Sequence, residues 1–254
     1  MAQIIAVVNQ KGGVGKTTTA VNLAAALAET GKRILLCDFD PQANATSGFG
    51  VDKHKTPCSV YDVLSGDAAA AEAIVHTPFG DVIPSSSSLC GAAVELVGVE
   101  EREFILKKAL DTVKENYDYI FIDCPPSLEL LTLNALCAAE SILVPVQCEY
   151  YALEGLADLM MTLRAVKARL NPKLEIFGVV LTMYDGRLNF TAQVAEEVRR
   201  HFQNKVFATV IPRNVRLSEA PSHGMPVLSY DKHSRGAESY RSLAQECLKK
   251  EGRA

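Results

Sequence analysis

Short unbroken apolar runs alternate along this chain with longer stretches in which apolar residues recur at helical spacing. Ile4-Ile5-Ala6-Val7-Val8 is a run of buried-strand length, and Ala20, Leu23, Ala24, Leu27 and Ala28 then share one helical face that Gly31 closes. Arg33–Cys37, Asp81–Pro84, Tyr119–Asp123, Ser141–Val146, Phe177–Thr182 and Val206–Ile211 read as further strands. Helices are expected around Val60–Leu64, from Phe104 to about Asn116, from Leu153 to Leu170, through Val194, Val198 and Phe202, and from Ser234 to Lys250. In the last of these Ala237, Tyr240, Leu243, Ala244, Cys247 and Leu248 fall on one side. Asn44, Thr46, Ser47, Gly48 and Gly50 read as a polar, flexible loop, and Asp67 as the cap of an alanine-rich helix. Residues 56–99 carry the weakest pattern, with the serine run Ser85–Ser88 as a loop.

Strands that alternate with helices imply an α/β fold, a mainly parallel twisted sheet with helices on both faces. Neither an internal repeat nor a linker interrupts the pattern, so residues 1–254 are expected to form a single domain. With the first strand starting at Gln3 or Ile4, no helix-turn-helix domain is expected ahead of it.

Composition changes this picture little. The 254 residues suit one large α/β domain, and 48% hydrophobic with 22% charged residues describes an ordinary globular protein. No apolar run approaches the roughly 20 residues of a membrane span, and no signal peptide is expected before the first strand. The 7 cysteines are scattered without a CxxC pair, and Cys37, Cys124 and Cys148 lie in or beside apolar runs. They read as small core residues in a reducing cytosol, and ligand spacing for a metal or cluster is missing. Charge is more informative in its distribution than in its net value of −4. From Arg187 onward the chain has 12 Lys+Arg against 7 Asp+Glu, and the remainder 14 against 23. A basic C-terminal third on an acidic protein suits a polyanion-facing surface.

The candidate chemistry begins at Lys11-Gly12-Gly13-Val14-Gly15-Lys16-Thr17-Thr18, between the first strand and the first helix. Glycines let backbone N–H groups converge on phosphate oxygens, and the helix N-terminus adds partial positive charge. In such a loop Lys16 reaches the β/γ-phosphates and the Thr17 hydroxyl ligates Mg²⁺. Gln10 stands where the standard pattern has glycine, and the loop carries an additional lysine, Lys11. The second strand delivers Asp38 and Asp40 at its C-terminal end, where ligand chemistry gathers in open parallel sheets. Asp123 ends another apolar strand, the position of the magnesium aspartate of P-loop enzymes, and Cys124-Pro125-Pro126-Ser127 follows as a rigid turn.

Together with Asp38-Phe39-Asp40-Pro41-Gln42-Ala43-Asn44, Asp123-Cys124-Pro125-Pro126-Ser127 and Ile211-Pro212-Arg213-Asn214-Val215-Arg216-Leu217-Ser218-Glu219-Ala220-Pro221-Ser222, the loop resembles the ParA/Soj-type partitioning ATPases. These belong to the deviant P-loop group that also holds MinD and the nitrogenase iron protein. The resemblance implies an ATP hydrolase with Mg²⁺ as cofactor. Gly12, Gly13, Val14, Gly15, Lys16, Thr17 and Thr18 match the phosphate loop, Pro212 and Asn214 the adenine-packing segment, and Asp123 the outer-sphere magnesium aspartate. Asp40 matches the acid that positions or activates the attacking water, counted here among the magnesium residues too. Lys11 matches a lysine that crosses a nucleotide-sandwich homodimer to the partner's phosphates. Arg187 and Arg216 match basic positions that hold double-stranded DNA without sequence preference. The resemblance further implies release from DNA on hydrolysis stimulated by a ParB/Spo0J-type partner, and a cytoplasmic, nucleoid-associated protein. The alternative is a MinD-like membrane-cycling ATPase, which needs a terminal amphipathic helix; the end here, Cys247–Ala254, is better explained by core packing.

Overall fold

The structure is a computed structural model that describes residues 2–149 and 152–251. The N-terminal part runs β1 (Gln3–Val7), α1 (Lys16–Ala28), β2 (Ile34–Asp38), α2 (Asn44–Gly48), α3 (Val60–Ser65), β3 (Val75–Thr77) and β4 (Gly80–Ile83). The middle adds α4 (Leu89–Glu95), α5 (Ile105–Asp111), β5 (Tyr119–Asp123), α6 (Leu130–Ala138), β6 (Ser141–Gln147) and α7 (Ala152–Arg169). β7 (Glu175–Tyr184), α8 (Asn189–Phe202), β8 (Val206–Pro212), α9 (Val215–Glu219), α10 (Val227–Tyr230) and α11 (Arg235–Glu251) complete it. The strands form one eight-stranded sheet in the order β3-β4-β2-β5-β1-β6-β7-β8, parallel except for the β3–β4 hairpin at one edge.

The unbroken apolar runs are explained by burial on both faces of this sheet. In β1, Ile4 and Ala6 join one core while Ile5 and Val7 join the other, and in β2 Leu35 and Cys37 oppose Ile34 and Leu36 in the same way. Successive strand side chains point to opposite faces, so a strand covered on both sides has no polar face to show. Helices α3, α5, α6, α7 and α8 cover the first core, and α1, α10 and α11 the second. The exposed edge strand β8 is blunted from α11, where the Glu246 carboxylate accepts hydrogen bonds from the N–H groups of Ala208 (2.9 Å) and Thr209 (2.7 Å).

Three expectations are corrected. Asn44–Gly48 is helical, because the buried Asp38 carboxylate accepts hydrogen bonds from both the Thr46 N–H and the Thr46 hydroxyl, each at 2.7 Å. The segment after Asp67 closes into turns instead of a helix; Glu72 turns back to accept the Ala69 N–H at 2.7 Å, and the run is too short to repay helix nucleation. The single helix expected from Phe104 to Asn116 is α5 flanked by two 3₁₀ turns. The elements β3, α4, α6, α9 and α10 are not expected from the pattern. The last residues of the tail weighed above, 252–254, lie outside the described residues.

Candidate functional site

β1, β2 and β5 are adjacent and in register, and all three end at the same level. Val7 pairs with Asp123, and Asp38 pairs with Asp123. The chain leaving β1 is therefore delivered beside both carboxylates. It turns through Gly13 (φ 75°) and Gly15 (φ 87°), left-handed conformations that cost glycine little, and Gly15 caps α1. A Cβ at Gly12 or Gly13 would meet nothing within 4 Å, so this part of the loop borders open space.

Distant side chains hold this loop. Asn9 is buried, donates to the Pro145 carbonyl (2.8 Å) and accepts the Lys11 N–H (3.0 Å). The Thr182 hydroxyl donates to the Val14 carbonyl (2.8 Å) from the end of β7. Lys16 is only 6% exposed and folds back to donate to the Lys11 carbonyl at 3.1 Å. Burial pulls its pKa down, and Asp123 leads the charges that oppose this. Lys11 extends from the loop to an ion pair with Glu149.

The carboxylates divide by environment. Asp123 is fully buried, and neither oxygen has a hydrogen-bond partner. Burial first, then the neighbouring Asp38 charge, push its pKa well above the usual carboxylate range; the Thr17 hydroxyl lies near enough to oppose this without reaching hydrogen-bond geometry. Asp38, also fully buried, is pushed up to about 6 by burial, and its bonds to Thr46 counter that. It serves the architecture of α2, which leaves Asp40, half-buried and bonded through Oδ1 to the Gln42 N–H (3.0 Å), as the acid turned toward the loop's side of the sheet.

The donor set fits Mg²⁺ carried by a phosphate chain. Among the described residues no group of three or more His, Cys, Asp or Glu could hold a metal unaided. Magnesium usually keeps several waters and is held by one or two protein oxygens together with substrate phosphates. The unpartnered Asp123 oxygens and the adjacent Thr17 hydroxyl would supply the protein's share. A neighbouring cavity of about 330 Å³ is lined by Gly15, Thr18, Met183, Pro212, Asn214 and Tyr240, which brings the expected adenine segment beside the first turn of α1.

Arg187 and Arg216 follow the ends of the paired strands β7 and β8, and Arg216 stands between Asn214 and Leu217, which line that cavity. Arg187 has 89% of its side chain exposed and is hydrogen-bonded to Asp185; Arg216 is paired with Glu219 and Asp231. Asn9, Thr182 and Glu149 were missed by sequence reasoning. Asn9 and Thr182 each interrupt or end an apolar strand run with a polar residue, which is the one signal they carry.

A family model described as an AAA domain matches residues 2–176. The sporulation initiation inhibitor protein Soj of Bacillus subtilis is 59% identical over 248 residues, 97% of this chain and 98% of that protein. The chromosome-partitioning ATPase Soj of Treponema pallidum is 51% identical over 254 residues, covering 99% of both. Among solved structures, the septum site-determining protein MinD of Pyrococcus horikoshii, complexed with Mg-ADP, superposes with a TM-score of 0.81 at 30% identity, over 97% of this chain and 96% of that one.

Proposed function

The chain belongs to the ParA/Soj family of chromosome-partitioning ATPases, and from that premise we propose that it is a nucleotide-timed DNA-segregation ATPase. The observation that carries the reading is the pairing of a buried, lowered-pKa Lys16 with a buried, unpartnered Asp123 around an open glycine loop. Burying opposed charges without mutual satisfaction costs several kcal/mol unless a ligand completes the set. A magnesium nucleotide has the required mixture of anionic oxygens and cation.

In this reading the backbone N–H groups from Gly12 to Thr18 bind the phosphates and Lys16 neutralises the β/γ-oxygens. Thr17 and Asp123, with Asp40 nearby, would hold Mg²⁺, and the bound ion would supply neutralisation of phosphate charge. Asp40 orients the water that attacks the terminal phosphorus, and Pro212 and Asn214 pack around the adenine. Lys11 exchanges Glu149 for the phosphates of a second copy, so ATP completes a homodimer and places positive charge in trans where charge develops. The dimer holds double-stranded DNA without sequence preference through Arg187 and Arg216, using salt-sensitive phosphate contacts. Hydrolysis stimulated by a ParB/Spo0J-type protein then separates the dimer and releases the DNA. The protein works in the cytoplasm on the nucleoid, and one domain carries all these parts.

A MinD-like membrane cycle is the second reading, and the packing of α11 disfavours it. Ala237, Tyr240, Leu243, Ala244 and Cys247 are all at most 1% exposed, so the helix spends its apolar face on the core.

The test is binding to a long duplex of arbitrary sequence with ATP, with ADP and without nucleotide, alongside anionic vesicles. Binding to DNA with ATP alone, retained by Asp40→Ala and weakened by Arg216→Ala, is the expected result. Equal binding in ATP and ADP at low salt, or clear ATP-dependent vesicle flotation, would overturn it.

A further inference from the structure

The arginine edge is electrostatically closed. Arg187, Arg213 and Arg216 follow the ends of β7 and β8, and three carboxylates stand among them. Arg187 donates from Nε (2.9 Å) and Nη2 (2.6 Å) to the two oxygens of Asp185, which holds that carboxyl down to about 2. Arg216 donates from Nη1 to Glu219 (2.7 Å), and its Nε lies 3.2 Å from Asp231. Among the described residues Arg213 alone of the three makes no ion pair. Arg187 and Arg216 are therefore each met by a carboxylate of their own chain, although the C-terminal third as a whole remains basic.

A guanidinium fork grips carboxylate and phosphate with the same planar geometry. A DNA phosphate must displace a carboxylate tethered only two or three residues away along the chain, at high effective concentration. We propose that Asp185, Glu219 and Asp231 are built-in phosphate stand-ins that hold Arg187 and Arg216 closed, and that DNA binding requires these carboxylates to leave their arginines. The inference rests on the DNA-binding reading above and adds residues that set the strength of that contact.

The carboxylates on the Arg216 side are also wired to the nucleotide site. Glu219 leads directly into a 3₁₀ turn, Ala220–His223, that packs on α2, the helix following Asp40. Just beyond it a Cβ at Gly224 would lie 3.5 Å from the Ser47 carbonyl and 3.7 Å from Gly50, a close backbone crossing. Asp231 follows α10, whose first N–H, at Val227, donates to Asn22 of α1 (2.7 Å). A shift of α1 or α2 would therefore be passed to the two acids that cover Arg216.

The test is equilibrium binding of the full chain to an arbitrary duplex, in ATP with Mg²⁺ and in ADP, for Asp185→Asn, Glu219→Gln and Asp231→Asn. Each is expected to tighten binding about 2- to 5-fold and to narrow the gap between ATP and ADP. The gain of Asp185→Asn must vanish in an Arg187→Ala background, and the gains of the other two in Arg216→Ala. Glu197→Gln is the control, because it frees Arg200 from an equivalent 2.7 Å pair on α8 and lowers acidity equally. An equal gain from Glu197→Gln, or gains that persist without the arginines, would reduce the effect to net charge and overturn the inference. Wild-type binding that Arg216→Ala weakens but no carboxylate variant strengthens would overturn the inference and leave the DNA reading standing. Failure of every form to bind DNA would overturn both.

Discussion

The phosphate loop and the arginine edge lie at the same end of one sheet and handle charge in opposite ways. At the loop, Lys16 and Asp123 are buried and Asp123 has no hydrogen-bond partner, so the protein keeps an unpartnered carboxyl group where dielectric screening is weakest. At the edge, Arg187 and Arg216 are exposed and each is already satisfied by acids of its own chain. A small ligand of constant shape can be met by a rigid site prepared in advance, because its own charges repay the desolvation. A long polyanion met in water needs no prepared cavity, and an arginine shielded until needed avoids indiscriminate binding. The first region keeps its charged groups buried, and the second keeps its arginines exposed and paired.

The largest effect is expected at the buried cation of the loop. Lys16→Ala removes the one cation buried within the loop and should weaken nucleotide binding by about 2–5 kcal/mol, measured by titration calorimetry. A loss under threefold would place the loop in the same screened regime as the edge and break the contrast. Asp123→Asn sharpens the contrast by separating stability from function. Removing a buried unpartnered carboxylate should raise the melting temperature of the nucleotide-free protein by a few degrees, about 1–3 kcal/mol, while abolishing the added stabilisation that Mg²⁺ brings to nucleotide binding. A lower melting temperature would mean that Asp123 is better satisfied than its surroundings indicate. The smallest effect belongs to the edge: Arg216→Ala should leave the melting temperature and nucleotide affinity unchanged while reducing the salt dependence of DNA binding by about one counterion. A marked drop in melting temperature would show that its pairs with Glu219 and Asp231 support the fold.

Legibility followed the range of the interactions concerned. The strands from Ile4, Arg33, Tyr119, Ser141 and Phe177 could be read because a parallel strand buried on both faces must be apolar throughout. α6 was missed for the converse reason: Leu131, Ala135, Leu136, Cys137 and Ala138 are all buried, so no amphipathic period marks it. β3, at three residues, was too short to leave a pattern. In the site, the order from Lys11 to Thr18 is local and was legible, as were the strand-terminal acids. Asn9 to Pro145 and Thr182 to Val14 span 136 and 168 residues, and nothing near either partner announces the other.

By itself the sequence determined the alternation of strand and helix, the glycine loop and the acids at strand ends, since period, turn chemistry and local spacing are properties of neighbouring residues. Tertiary structure alone decided that Asp38 would turn into the core to build α2 while Asp40 stayed at the site, and that the arginines would meet their own carboxylates. Those outcomes depend on which groups are brought out of water together, and burial exists only once the chain has closed on itself.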